Sequence, residues 1–141
     1  IALDSVTNPP ILGMIIRSGT ASPAYGLLLP SNGSAAISPL VIKASAGTAF
    51  KGNILSCDDL EDSLKEFQKR GFKLCTLTSH NATPIKDFSA KDPIVFILGN
   101  ETHGVRQSIM DISDYRISIP MKNGVESLNV AVTAALIAFN L

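Results

Sequence analysis

Apolar, β-branched runs recur along the chain at nearly regular intervals. They predict strands near Ile1–Leu3, Tyr25–Leu29, Asn53–Leu55, Phe72–Leu77, Ile94–Leu98 and Tyr115–Ile119. Gly26–Leu29 and Ile94–Leu98 carry no polar side chain at all. Runs of that kind suit strands covered on both faces, as in a parallel sheet, whereas strict alternation marks a sheet with one wet face. Helical patterns separate the strands. Asn8 and Pro9 suit the cap and first position of a helix that places Leu12, Ile15, Ile16 and Gly19 on one face. Pro39–Ala46 reads as a shorter helix. Asp58 followed by Glu61 is an acidic variant of the capping box, Leu60, Leu64 and Phe67 form the inner stripe, and Gly71 ends that helix. Val105–Met110 is a weak helical pattern. Leu128–Phe139 is apolar on nearly every face, as expected of a helix packed on more than one side. Strands alternating with helices over short connections predict an α/β fold built on a mostly parallel six-stranded sheet flanked by helices.

The length, 141 residues, is that of one domain, and 45% hydrophobic against 17% charged residues excludes a disordered chain. Ile1 stands directly in an apolar stretch, so the domain is expected to be part of a longer chain. Neither a basic-plus-apolar leader nor a membrane-length apolar run is present, which favours a cytoplasmic location and no membrane partner. Cys57 and Cys75 lie far apart without metal-ligand spacing, so reduced thiols and no metal are expected. The formal net charge is zero, which weighs mildly against nucleic-acid binding but leaves room for a local basic face.

Gly, Asn, Ser and Pro collect where the predicted strands end, which is where parallel sheets bind ligands. The strand at Ile94–Leu98 runs into Gly99, a polar stretch and Gly104. Glycines there let backbone approach a ligand closely. The spacing superficially resembles a phosphate-binding loop, but Val105-Arg106 stands where Lys-Ser/Thr is needed, and no dinucleotide fingerprint is present. Farther on, a strand ends at Pro120, Asn123-Gly124 turns the chain, and Ser127 is expected to cap the last helix, with Asn129 in its first turn. Arg17, beside Ile15 and Ile16, is either a solvated surface residue or an anion holder. His103 and His80 sit in polar stretches. Lys65, Lys69 and Arg70 with Glu61 and Glu66 read as helix-surface pairs.

Three separated segments carry a resemblance. Residues 8–19 read Asn-Pro-Pro-Ile-Leu-Gly-Met-Ile-Ile-Arg-Ser-Gly, residues 97–104 read Ile-Leu-Gly-Asn-Glu-Thr-His-Gly, and residues 119–130 read Ile-Pro-Met-Lys-Asn-Gly-Val-Glu-Ser-Leu-Asn-Val. In this order and spacing they resemble the three motifs of the SpoU (TrmH-like) RNA 2′-O-methyltransferases of the SPOUT superfamily, across essentially all of residues 1–141. The resemblance implies a deep C-terminal trefoil knot, and a homodimer joined through the first and last helices. It implies S-adenosylmethionine as methyl donor and tRNA or rRNA as substrate, methylated at a ribose 2′-hydroxyl. The donor pocket would involve Leu77, Thr78, Leu98, Gly99, Asn100, Glu101, Gly104, Ile119, Met121, Ser127 and Leu128. Arg17, Glu101, Ser127 and Asn129 would act in catalysis, Arg17 by binding a target phosphate and stabilising charge on the 2′-oxygen. Asn8, Arg17 and Arg106 would touch RNA; Lys43, Lys51 and Lys122 are further basic positions. The family does not use the position of His103 as a base.

One position departs from the family pattern. The fourth place of the first motif is commonly Asn, and here it is Ile11, which cannot hydrogen-bond Arg17 or substrate. Gly19 also stands where alanine is common. Beside the methyltransferase reading stand a catalytically weak or inactive RNA-binding relative, and an unrelated small-molecule-binding α/β domain.

Overall fold

The computed structural model describes residues 1–140. Strands β1 (Ala2–Leu3), β2 (Leu27–Pro30), β3 (Ile54–Cys57), β4 (Lys73–Leu77), β5 (Thr83–Pro84), β6 (Ile94–Leu98) and β7 (Tyr115–Ser118) form one sheet in the order β3-β2-β1-β6-β4-β7-β5. Every pairing within it is parallel. The sheet has seven strands rather than six because the two-residue β5 adds to β7 at one edge. So short a strand leaves no periodic signal, and its Pro84 is tolerated where one side of the ladder is open.

Alternate residues of the central strands face opposite sides. Leu3, Phe96 and Leu98 point into a core under the helices α1 (Pro9–Ala21), α2 (Pro39–Ala44) and α5 (Val130–Phe139), whereas Ala2, Val95 and Ile97 meet α3 (Leu60–Lys69) and α4 (Gln107–Ile112). Burying both faces explains the unbroken apolar runs. The fully buried Leu64 and Ile109 of the second layer each contribute roughly 1.5–3 kcal/mol by leaving water.

Local chemistry sets the helix ends. Asn8 accepts from the Ile11 N–H at 3.2 Å, and Pro9 opens α1. Gly13 lets α1 and α2 approach: a Cβ there would stand 2.7 Å from the Val41 carbonyl oxygen. The cap of α3 is Asp59, not Asp58. Asp59 accepts from Asp62 N–H at 2.8 Å, and the chain at Asp58 is still leaving β3. The cap of α5 is Asn129, not Ser127. Asn129 accepts from the Ala131 N–H at 2.8 Å, which starts the helix two residues later than the apolar pattern predicts. Likewise α4 begins at Gln107 rather than Val105, because Arg106 stands at φ −56°, ψ 143°, outside the helical region. Cys57 and Cys75 are free thiols. Burial pushes the Cys75 thiol up to about 12, so it stays protonated and unreactive. Among the described residues no helix is long and apolar enough to cross a membrane.

Asp114 ties the start of β7 to the start of β4. Its carboxylate accepts from the Leu74 N–H at 2.9 Å, Gln68 Nε2 at 3.2 Å and Lys73 Nζ at 3.1 Å. Partial burial pushes its pKa up, but these three donors outweigh that and leave it below the ordinary carboxylate value. A carboxylate whose pKa falls on folding stabilises the fold fully above its unfolded value of about 3.9, and that contribution drains away as pH falls through the folded value. Asp114→Asn should therefore lower the denaturant midpoint at pH 7, and the gap from wild type should close as pH falls below about 3. A gap that does not change with pH would refute this role.

Candidate functional site

Parallel pairing puts the carboxyl ends of β4, β6 and β7 on one edge of the sheet. The segments that leave them enclose a cavity of about 740 Å³, within the range of small-molecule and cofactor sites. Leu77 and Thr78 enter it from the end of β4. Leu98–Glu101 and Gly104 form a second wall after β6. Ile119 and Met121 after β7, then Ser127 and Leu128 before α5, form a third. These walls combine apolar side chains and backbone with polar side chains such as Thr78, Asn100 and Ser127.

The loop after β6 folds back on itself. Asn100 N–H donates to the Gly104 carbonyl at 3.2 Å and Gly104 N–H to the Asn100 carbonyl at 2.8 Å. The Asn100 side-chain oxygen accepts from the N–H groups of Thr102 at 2.7 Å and His103 at 3.3 Å. Two glycines permit this turn. Gly104 has φ +69°, and a Cβ on Gly99 would run into the Gly104 and Val105 backbone. The loop is held from outside by β1. Arg106 donates to Asp4 through its backbone N–H and through Nε, each at 2.8 Å, and Asn100 Nδ2 donates to the Ser5 carbonyl at 3.0 Å.

The cavity's electrostatics are one-sided. Glu101 and Glu126 line it together with His80 and His103, and no Lys or Arg is among the lining residues. Such a site suits a ligand that is apolar over most of its surface and carries positive charge. A triphosphate or dinucleotide would find no cation there.

Residues 1–139 match the SpoU rRNA Methylase family. The chain belongs to that family. Among curated relatives, a tRNA/rRNA methyltransferase of Mycobacterium ulcerans, itself uncharacterized, is 33% identical over 137 residues, 97% of this chain and 44% of the relative. The chain thus spans less than half the length of that relative. The SpoU methyltransferase AviRb from Streptomyces viridochromogenes, solved in complex with the cofactor AdoMet, superposes with a TM-score of 0.89 at 28% identity. That match covers 98% of this chain and 56% of AviRb. An RNA 2′-O ribose methyltransferase of known structure superposes with a TM-score of 0.86 at 25% identity, over 98% of this chain and 53% of that one.

In this SpoU domain all the residues expected to hold the donor line the one cavity, Glu101 and Ser127 with them. Arg17, Asn8 and Asn129 do not. Arg17 is exposed on α1, one turn from the exposed Met14. The side-chain oxygens of Asn8 and Asn129 cap α1 and α5. Arg106, expected to touch RNA, instead pairs with Asp4, its side chain half exposed. Sequence reasoning missed Asp4 as the anchor of the loop, and Glu126 and His80 as lining. A signal for Asp4 existed: a lone acid ending an apolar strand is either solvated or bound, and this one is buried. His80 and Glu126 lie in loops whose course no periodicity reveals.

Gly99→Ala should open the loop while the sheet persists. Hydrogen exchange at the Gly104 amide should speed up by about ten-fold or more, equivalent to about 1.4 kcal/mol of local opening. Equal exchange rates in the two proteins would contradict the close packing at Gly99.

Proposed function

We propose that this domain transfers a methyl group from S-adenosylmethionine to a ribose 2′-hydroxyl of tRNA or rRNA, in the cytoplasm. The observation that carries the proposal is the cavity at the strand ends, walled by apolar side chains, backbone and uncharged polar groups, with Glu101 and Glu126 as its carboxylates and no Lys or Arg in its lining. Its fit to the donor is chemical. The donor combines an adenosine, suited to the apolar walls at Leu77, Leu98 and Ile119, with a sulfonium and an ammonium, suited to Glu101 and Glu126. The superposition on AviRb, solved with AdoMet, supports the same reading. The 2′-hydroxyl as target is supported by the likeness to the RNA 2′-O ribose methyltransferase.

When bound, S-adenosylmethionine supplies an electrophilic methyl group. The protein's task is then to hold the ribose in line and lower the cost of negative charge on the attacking oxygen. Ser127, on the cavity wall, would orient that oxygen by hydrogen bonding. Glu101, on the wall built by the loop after β6, would support the site. The role given to Arg17 is to hold a phosphate of the target nucleotide through its guanidinium donors and to stabilise the alkoxide. Asn129 caps the helix behind Ser127 and keeps the approach to that wall fixed.

Arg17 lies outside the cavity of its own chain, on a face that also exposes Met14. On α5 the exposed Val132, Leu136 and Phe139 follow one another at helical spacing. Since α1 packs on α5, these residues favour a homodimer closed through the two helices, with Arg17 at its edge. A deep trefoil knot formed by the C-terminal part of the chain is part of the same proposal. It would hold the three cavity walls together with few side-chain contacts.

Ile11 favours a second reading, in which turnover is weak. It is half-buried against the core around α1, and its side chain offers no polar atom to substrate. One experiment addresses both readings: incorporation of labelled methyl from S-adenosylmethionine into total tRNA and total rRNA, followed by nucleoside analysis. Wild type should yield 2′-O-methylnucleosides in one RNA class, and Arg17→Ala should lose activity by about 10²–10³-fold. Ile11→Asn should raise incorporation if Ile11 limits turnover. Base-methylated products would overturn the 2′-O assignment, and undiminished activity in Arg17→Ala would overturn the role of Arg17.

A further inference from the structure

Among the described residues Asp4 is the one buried acid, 1% exposed just after β1. It does not line the cavity, yet it spends its hydrogen-bonding capacity on the loop that does. Its Oδ2 accepts from the Arg106 N–H at 2.8 Å, and its Oδ1 accepts from Arg106 Nε at 2.8 Å and from Ser5 Oγ at 3.3 Å. Its own N–H donates to the Leu98 carbonyl at 2.8 Å, the last residue of β6 before the loop. The next residue, Ser5, takes a left-handed conformation at φ 62° and presents its carbonyl to Asn100 Nδ2 at 3.0 Å. Two consecutive residues of the β1 exit thus grip both ends of the loop, Asn100 at its start and Arg106 at its close.

Between those two grips the loop has little other support. Glu101, Thr102, His103 and Gly104 are exposed, and their described hydrogen bonds run within the loop, to Asn100. Val105 drops into the lower core and fixes the chain's exit. Where Glu101 and His103 stand relative to the sheet is therefore set by Asn100 and Arg106, and these by Ser5 and Asp4. A buried carboxylate is retained at such a position only when its charge is fully met, because an unpaired one costs several kcal/mol.

We propose that Asp4, acting with Arg106, is a positioning residue that holds the loop 99–106 in the form that receives the methyl donor. This rests on the donor reading of the cavity given above. It also assigns Arg106 to the protein's own framework, with direct RNA contact at most a secondary use of its exposed half. Asp4 lies a few residues before α1, the helix that carries Arg17. A displaced loop end at Arg106 moves the donor wall and leaves the RNA-facing helix where it is.

The test is calorimetric affinity for S-adenosylmethionine, paired with hydrogen exchange of the donor-free chain at Thr102, His103 and Gly104. The proteins are wild type, Asp4→Asn, Arg106→Gln, the double variant, and Val41→Ala in the core under α1 and α2 as a purely destabilising control away from the loop. An asparagine at position 4 still accepts from the Arg106 N–H but turns an amide donor toward the guanidinium. The half-exposed Arg106→Gln is the variant that folds if Asp4→Asn does not. Each single variant should speed loop exchange and weaken donor binding by about ten-fold, the effect of losing one hydrogen bond to a charged group. The double variant should be about as weak as the worse single, since both remove one interaction. The control should lose thermal stability and keep its affinity. Wild-type affinity in both single variants, multiplied losses in the double, or an equal loss in the control would each overturn the role of Asp4. If exchange responds to Asp4→Asn but wild type does not bind the donor, the donor reading falls and this role falls with it. If wild type binds and exchange does not respond, only the clamp falls.

Discussion

The structure depends on parallel pairing around β6. That strand lies between β1 and β4, pairing Ala2 with Ile97 on one side and Thr76 with Ile97 on the other. Parallel strands require crossovers, and the crossovers here supply the two helical layers that cover both faces. The same polarity brings every strand's carboxyl end to one edge. A cavity at that edge follows from the sheet's direction, before any side chain is chosen. Side-chain choice then determines what it can hold: apolar walls, carboxylates and histidines, and no fixed cation among its lining.

What the sequence made legible was whatever repeats. Unbroken runs such as Ile94–Leu98 marked strands covered on both faces, and the stripes of α1 and α3 marked their inner sides. The failures fall at ends, where one hydrogen bond decides. Asp59 outcompetes Asp58, and Asn129 outcompetes Ser127, because the carboxylate or amide one or two residues closer to the first turn reaches a free N–H. Either residue type can cap, so composition could not choose between them. The strand β5 was invisible because two residues have no period. Residues that line the cavity could be grouped by motif, since the motifs fall at strand ends. The tie between Asp4 and Arg106 spans 102 positions and leaves no local signal beyond an acid at the end of an apolar strand.

The proposed site divides between a strand-built wall and an exposed helix. Leu77, Leu98 and Ile119 extend directly from strands and inherit the sheet's stiffness. Arg17 projects from α1 into solvent, and nothing in its own chain orients it among the described hydrogen bonds and ion pairs. A site so built can recognise a small ligand by itself, whereas ordering Arg17 requires something docked on α1. The half-buried Ile11 lies on the same helix and makes its start more apolar than a polar motif residue would.

The position of β6 also has a consequence for biosynthesis. Strands β1, β2 and β3 lie within the first 57 residues and are neighbours in the sheet, so they can pair while the rest of the chain is still on the ribosome. The other side of β1 has no partner until residues 94–98 emerge. For that interval β1 presents an open ladder and the upper core lacks α5. Contacts between such distant segments form slowly. The nascent domain therefore carries an exposed apolar edge through much of its translation, and a chaperone that shields extended segments would matter most during that window.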